Sequence, residues 1–426
     1  MLLAVATLLT KGVAFFKDIQ VAGVFGTDSN LDSYLLVFGL YGTIGNVIGG
    51  SLAVSAMPQI AATKDVRTHW VMYLSGLRYV FWFSVGLVLL TLIFREAVFK
   101  AVAPGVVAMP GSRLFELVPV IAPCATACAL VMYMQAFLNL EGMFFRPAII
   151  QVIMPSIQLL ALVQNAWPIR IDTLAWATVG GYVVQTALLA GMVWNARSKS
   201  GTTAADTSAN PGRASIYLAP TLSIALSSIL IGSTDTIIGA FASKFGAGFV
   251  SALNFANKYP SLVSSFILAT VITAAYPKMT KHFANGDIAH FSGLVIKLGA
   301  FMFASGLCML LFFYLFGTDI VRLTFERGSF DAMTTTKVAE LQLVVASQLP
   351  ILLLGMVLTR ATSAMQGTTS MIVASGAALL AAAIFLNSTF CTEKNFALVY
   401  LVIQSCAVGM LAITLTAKLY LPTLRK

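Results

Sequence analysis

Long apolar segments are the feature that most constrains how this chain can fold. Of its 426 residues, 58% are hydrophobic and only 10% are charged, whereas about a quarter of the residues in a soluble domain are charged. A run of about 20 apolar residues can cross a bilayer as a helix, and helices satisfy the backbone over that length. We therefore predict an all-α integral membrane protein with about twelve transmembrane helices. The segments cover residues 2–24, 33–62, 71–94, 115–138, 144–165, 171–195, 215–243, 247–282, 291–316, 334–366, 370–388 and 396–420.

A polar linker divides these segments into six and six. Residues 196–213 are rich in Ser, Thr, Gly and Ala, which predicts an N-terminal six-helix lobe at 1–195, a cytoplasmic linker at 196–213 and a C-terminal lobe at 214–426. Landmarks recur at similar offsets in both halves: Asp18 and Asp235, Pro58 and Pro277, Leu140-Glu-Gly142 and Met365-Gln-Gly367. An even number of helices per half indicates a parallel repeat, and transporters of that kind commonly bind substrate in a cavity between the halves. Chance similarity among apolar segments is the alternative.

The first segment carries charge where a membrane helix rarely has any. Lys11, Lys17 and Asp18 all lie within it, and a charge at the bilayer centre costs about 2.5–3.5 kcal/mol on insertion scales. At about 100° per residue, Lys11 and Asp18 fall about 20° apart on one stripe of the helix. We expect this face to contact protein or a wet cavity rather than lipid.

The second half has its own buried cation, Lys258, in the eighth segment. Asp235 in the seventh segment is a candidate counter-ion, so simple pairing of buried charges remains an alternative to a substrate site. Pro260 and Pro277 flank the apolar part of the eighth segment and remove backbone donors, which predicts a bend.

Glycines mark the second segment. Gly45 and Gly49 form a GxxxG pair around Asn46, and this pattern indicates either close helix packing or a hinge. Together with Pro58, Pro260 and Pro277, these residues are candidates for packing or gating.

Charge and motifs exclude several function classes. The net charge of +10 comes from basic residues scattered over short loops, so nucleic-acid binding is not expected. The distribution of Lys and Arg favours both termini in the cytoplasm. The sequence contains no GxxxxGK[ST], HExxH or GxSxG, and its five cysteines show no metal spacing, so we expect no enzyme, no cofactor and no metal site. A cleavable signal peptide is not expected either.

Several positions resemble the MviN/MurJ family of lipid-linked oligosaccharide flippases, which belongs to a wider group with MATE transporters and polysaccharide flippases. The matching positions are Lys11, Lys17-Asp18, Phe25-Gly26, Asp32, Pro58, Ala256-Asn-Lys258 ahead of Pro277, and Phe325-Glu-Arg-Gly328. The resemblance implies that Lys11, Lys17 and Lys258 stand where the family places arginines around a central cavity for the substrate's pyrophosphate.

The sequence departs from that family pattern in three ways. All three arginines are lysines, which offer point charges in place of a bidentate fork. The second helix lacks the family's basic residue and glutamate around Gly45 and Asn46, and twelve segments replace the fourteen helices of the peptidoglycan flippases. These departures favour another polyprenyl-linked saccharide, such as an exopolysaccharide repeat unit, over lipid II as the substrate.

These observations predict a flippase of the bacterial cytoplasmic membrane that translocates a polyprenyl-(pyro)phosphate-linked saccharide by alternating access. The three lysines would attract the phosphates, and Asp18, Asp235 and Asp32 would act as cavity counter-ions. Na⁺, H⁺ or the membrane potential would drive transport. Expected partners are membrane lipids and glycosyltransferases or a polymerase of the same pathway. One alternative is an ion-coupled, MATE-like exporter of small cations that uses Asp18 and Asp235. Another is a non-transporting scaffold of an envelope assembly complex.

Overall fold

The computed structural model describes residues 2–63, 65–109, 112–163, 170–199, 229, 232, 234–365 and 367–424. Within these ranges the chain is helical, and its only β contact is an isolated bridge between Arg327 and Phe330. Among the residues that the structure describes, eight helices are long and apolar enough to cross a membrane, or ten if each of two bent pairs counts as one span. The two remaining predicted segments are the first, which carries three charges, and the seventh, which lies partly outside the described residues.

The chain divides into two compact units, Met1–Val250 and Ser251–Lys426. The helices of unit 1 are α1 (Leu2–Phe25), α2 (Ser29–Ala61), α3 (Val66–Ile93), α4 (Arg95–Val102), α5 (Pro104–Val107), α6 (Leu114–Ile121), α7 (Pro123–Leu140), α8 (Phe145–Ile150), α9 (Ile153–Val163), α10 (Ile171–Lys199) and α11 (234–242), followed by a 3₁₀ turn at Ser243–Phe245. Helix α12 (Phe249–Ala256) begins at the end of this unit.

Unit 2 continues with α13 (Lys258–Ile267), a π-helical turn (Leu268–Ile272), α14 (Thr273–Ala284), α15 (Ile288–Phe325), α16 (Ala332–Ala346), α17 (Leu349–Ala364), α18 (Thr368–Leu386) and α19 (Leu398–Leu424). Its apolar core joins α14, α15, α17 and α19 through side chains such as Phe291, Leu353 and Val357, all of which are fully buried.

The core of unit 1 forms where α2 and α3 pack on α7. A Cβ atom on Gly45 would lie 2.6 Å from the backbone oxygen of Ala125, and one on Gly49 would lie 2.9 Å from the Cβ of Met132. Only glycine allows this approach of two helix backbones. Beside it, Tyr73 stacks on Phe137 with ring centroids 3.8 Å apart, which fastens α3 to the same helix.

Prolines account for the bends in unit 2. The segment Phe249–Ile272 meets Ala275–Ala284 at 49°, and Pro277 inside α14 has no N–H for the carbonyl one turn earlier. Helices α16 and α17 meet at 41°, and Pro350 at the start of α17 has the same effect. The sequence predicted the bend near Pro277 but not the π-helical turn that precedes it.

The two six-segment halves of the sequence show the same local features. The fourth membrane segment is interrupted before a proline in each, at Pro123 and at Pro350. The third begins with an aspartate N-cap, Asp65 or Asp287. These features agree with an internal repeat.

The predicted lobe boundary falls largely outside the described part of the chain. Residues 200–213 of the linker lie outside the described residues, so the linker stays a prediction. The compact units divide one helix later, between Val250 and Ser251, because α11 packs on α2. Thr43 Oγ1 lies 3.3 Å from Thr236 Oγ1, and Leu36 lies 2.9 Å from where a Cβ on Gly239 would stand.

Candidate functional site

The charged face of α1 divides into a pair and an exposed cation. Lys17 Nζ lies 2.5 Å from Asp18 Oδ1, and both side chains are largely buried. Lys11, nearly two turns earlier, has an exposed side chain. Leu8 and Ala14 are good helix formers within α1 and favour this helix. It therefore carries one compensated charge pair and one cation that is open to its surroundings.

Several polar side chains of unit 1 are exposed although they lie inside long apolar helices. Examples are Lys11 on α1, Asn46 on α2, Arg78 on α3 and Asp235 on α11. Polar and ionisable groups at membrane depth almost always face a protein interior or a water-filled cavity, because exposure to lipid tails is costly. These positions mark the surface of unit 1 that is least suited to lipid.

Asp32 is fully buried at the beginning of α2. Its Oδ2 accepts a hydrogen bond of 2.7 Å from the backbone N–H of Gly248, the residue before α12. Gly248 has a φ of 80°, and a Cβ there would collide with the backbone of Thr27. Asp32 thus ties the start of α2 to the turn after α11. Its proposed role as a cavity counter-ion remains a prediction.

Lys258 is the first residue of α13, and its side chain is half-buried. The helix restarts here because Pro260, buried in the first turn, cannot donate to the carbonyl of Ala256. The next residue, Tyr259, hydrogen-bonds the hydroxyl of Thr324 on α15. The start of α13 is therefore anchored to α15, which fixes the backbone that carries the lysine.

The predicted site residues thus fall in separate units. Lys11, Lys17, Asp18 and Asp235 belong to unit 1, and Lys258 belongs to unit 2. The pairing of Asp235 with Lys258 remains a prediction. Of the predicted prolines, Pro58 lies exposed in the last turn of α2, Pro260 is buried and Pro277 is exposed.

A buried polar cluster in unit 1 was missed by the sequence reasoning. Gln158 Nε2 of α9 donates to Thr178 Oγ1 of α10 at 2.6 Å and lies 3.1 Å from Tyr34 Oη of α2, while the two hydroxyls are 2.8 Å apart. All three side chains are buried. The sequence gives little signal for it, because each of the three apolar segments carries several polar residues and none of these three stands out. The cluster holds α2, α9 and α10 together by hydrogen bonds that gain strength in a low-dielectric interior.

Histidines pair with carboxylates at the ends of the helices. His69 Nε2 lies 2.9 Å from Glu141 Oε1, and Asp287 contacts both His282 and His290. Hydrogen bonds from His290 lower the pKa of Asp287. Among the described residues, no group of three or more His, Cys, Asp or Glu is arranged to hold a metal ion.

Comparison with known proteins places the chain in a family. A family model described as lipid II flippase MurJ matches residues 21–423. A curated relative from Rhizobium meliloti (strain 1021), named probable lipid II flippase MurJ, is 24% identical over 367 residues. The match covers 81% of this chain and 66% of that protein, so the chain spans just under two thirds of the relative's length.

Solved structures share the fold. A lipid II flippase MurJ in an inward closed conformation superimposes with a TM-score of 0.82 at 17% identity, covering 97% of this chain and 87% of the other. An inward-facing multidrug resistance MATE family transporter of the MOP superfamily gives a TM-score of 0.78 at 14% identity, covering 97% and 98%. The architecture is therefore the two-lobed helical fold that these transporters share. Because the family model extends over nearly the whole sequence, the chain belongs to the lipid II flippase MurJ family.

Proposed function

We propose that this protein is a flippase that moves a polyprenyl-(pyro)phosphate-linked saccharide from the inner to the outer leaflet of the bacterial cytoplasmic membrane by alternating access. The observation that carries the proposal is Lys11, an exposed cation inside the otherwise largely apolar helix α1. Such a charge is stable only beside water or an anion. Family membership supports a lipid-linked saccharide as the source of that anion.

The balance of charge favours an anionic head group over a cation. Lys17 is in contact with Asp18, and the exposed Lys11 is therefore the cation of α1 that we expect to act on the phosphates, with Lys258 as a second cation. In surroundings of low dielectric constant, such cations attract phosphate much more strongly than they would in water. A lysine binds phosphate as a point charge and imposes less geometry than an arginine, so it suits a substrate that must also be released.

Lipid II, the substrate in the relatives' names, is one candidate for this chain, and an exopolysaccharide precursor is another. After Asp32, α2 carries no charged side chain. This neutral helix is the feature that would distinguish the two substrates, because the saccharide or peptide part of the head group must fit beside it.

The test is to measure binding of a polyprenyl pyrophosphate-linked saccharide to purified Lys11→Ala and Lys258→Ala variants. Each should lose at least tenfold in affinity, about 1.4 kcal/mol, because a charge-assisted contact is removed. Lys100→Ala is the matched control, since that lysine is exposed and forms an ion pair with Glu96 at 3.7 Å. Undiminished binding in both site variants would exclude the phosphate site.

One observation favours a second candidate function. Asp235 is exposed within an apolar helix, as a cation-binding carboxylate of a MATE-like exporter would be. In that case, cells that make the protein should accumulate less of a cationic dye, and Asp235→Asn should restore accumulation. A flippase without export activity would leave dye accumulation unchanged, both in cells that make the wild type and in cells that make the Asp235→Asn variant.

A further inference from the structure

Asn46 is an uncharged polar residue whose exposed amide lies within a long apolar helix. It lies halfway along α2 (Ser29–Ala61), in a stretch of the helix without charge, and its side chain is exposed. Transfer of an amide without a hydrogen-bond partner into an apolar medium costs roughly 2–7 kcal/mol. Lipid tails are therefore a poor environment for this side chain.

The surrounding helices fix the direction of the amide. Gly45 brings α2 so close to α7 that a Cβ there would lie 2.7 Å from the Cβ of Cys128. The Cys128 thiol in turn donates to Asn46 Oδ1 over 3.6 Å. The amide oxygen Oδ1 is thus held against α7. Within the ranges that the structure describes, the Nδ2 group remains available to a ligand.

There is room for a ligand beside this Nδ2 group. Gly42 and Gly50 lie about one turn before and one turn after Asn46, within about 40° of it around the helix. A Cβ on either glycine would meet nothing within 4 Å. In the described part of the chain, the helix surface one turn before and one turn after the amide is therefore not covered.

We propose that Asn46 determines specificity by hydrogen-bonding hydroxyl groups of the saccharide part of the substrate. This inference rests on the proposed function and adds the part of the substrate that α2 recognises. With Oδ1 held by Cys128, the Nδ2 group of the amide can donate two hydrogen bonds, and the hydroxyl oxygens of a sugar ring can accept them. The lysines hold the phosphates, and Asn46 distinguishes lipids that carry a saccharide from lipids that do not.

The experiment measures the affinity of the full-length protein in lipid nanodiscs for two probes, a polyprenyl pyrophosphate with its saccharide and the same lipid without it. Asn46→Ala should weaken binding of the first probe about tenfold, the effect of losing one to two hydrogen bonds, and leave the second unchanged. Asn387→Ala is the matched control, because this exposed asparagine donates a hydrogen bond to the backbone of its own helix, at the Ala383 carbonyl.

Two outcomes would overturn the proposal. Equal losses for both probes, or no loss for either, would show that Asn46 does not contact the saccharide. If Asn46→Ala unfolds at a lower temperature than the wild type, Asn46→Ser provides the same comparison with a small polar side chain. Failure of the wild type to bind either probe would contradict the proposed function itself, which is a different result from a loss confined to the variant.

Discussion

At the residue scale, Asp32 shows how a single carboxylate links distant parts of the chain. Its bond to the N–H of Gly248 joins residues 216 positions apart, and both groups are buried. We expect Asp32→Ala to reduce the free energy of unfolding by about 1–3 kcal/mol, because a buried donor loses its acceptor. Asp32→Asn retains an acceptor oxygen and should lose less.

Thermal unfolding of the purified variants in detergent provides the measurement. Glu96→Ala, a change to an exposed acid on α4, should shift the midpoint little. Equal midpoints for Asp32→Ala and the wild type would show that the bond to Gly248 contributes nothing to stability.

Residue type and helical periodicity are enough to select the charged positions of α1 as candidates from the sequence alone. They do not show that Lys17 pairs with its neighbour while Lys11 stays exposed, because that difference depends on which helices pack around α1. The partner of Asp32 lies on a turn of the second half, and no local pattern in the sequence connects the two.

At the element scale, the glycines of α2 have different surroundings despite lying side by side. A Cβ on Gly49 would lie 2.9 Å from Met132 and closer still to the backbone of α7, whereas one on Gly50 would meet nothing within 4 Å. We expect Gly49→Ala to lower stability by about 1–3 kcal/mol through overpacking. Gly50→Ala should be neutral or raise stability by up to about 1 kcal/mol, the gain in helix propensity.

The same unfolding measurement compares these two variants directly, and each serves as the control for the other. A larger loss for Gly50→Ala than for Gly49→Ala would contradict the observed packing of α2 on α7. The GxxxG pattern in the sequence predicted either packing or a hinge, and only the position of α7 shows which glycines are in contact.

Other elements show which structural features the sequence pattern predicts and which it does not. Proline chemistry predicted the bend at Pro277 because a missing N–H acts locally. The π-helical turn at Leu268–Ile272 has no such signature, since it depends on how the neighbouring helices of unit 2 pack. The seventh segment presents a similar limit, because its assignment to unit 1 follows from contacts with α2 that are distant in sequence.

At the scale of the whole molecule, the distribution of Lys and Arg predicts which loops face the cytoplasm. In a variant whose five cysteines are replaced, Lys394→Cys should react with a membrane-impermeant maleimide added to intact cells. Asn285→Cys should react only after the cells are broken. Both positions are exposed, so a reversed pattern would mean that the termini lie outside.

The central claim concerns movement of a lipid between leaflets, and proteoliposomes test it most directly. The vesicles would contain the wild-type protein and a fluorescently labelled polyprenyl pyrophosphate-linked saccharide, with an impermeant quencher outside. We predict that the labelled lipid exchanges between leaflets with the wild type and that a Lys11→Ala, Lys258→Ala double variant reduces exchange at least tenfold, to near the rate in protein-free vesicles. Folded wild-type protein that leaves exchange at the protein-free rate would contradict the account.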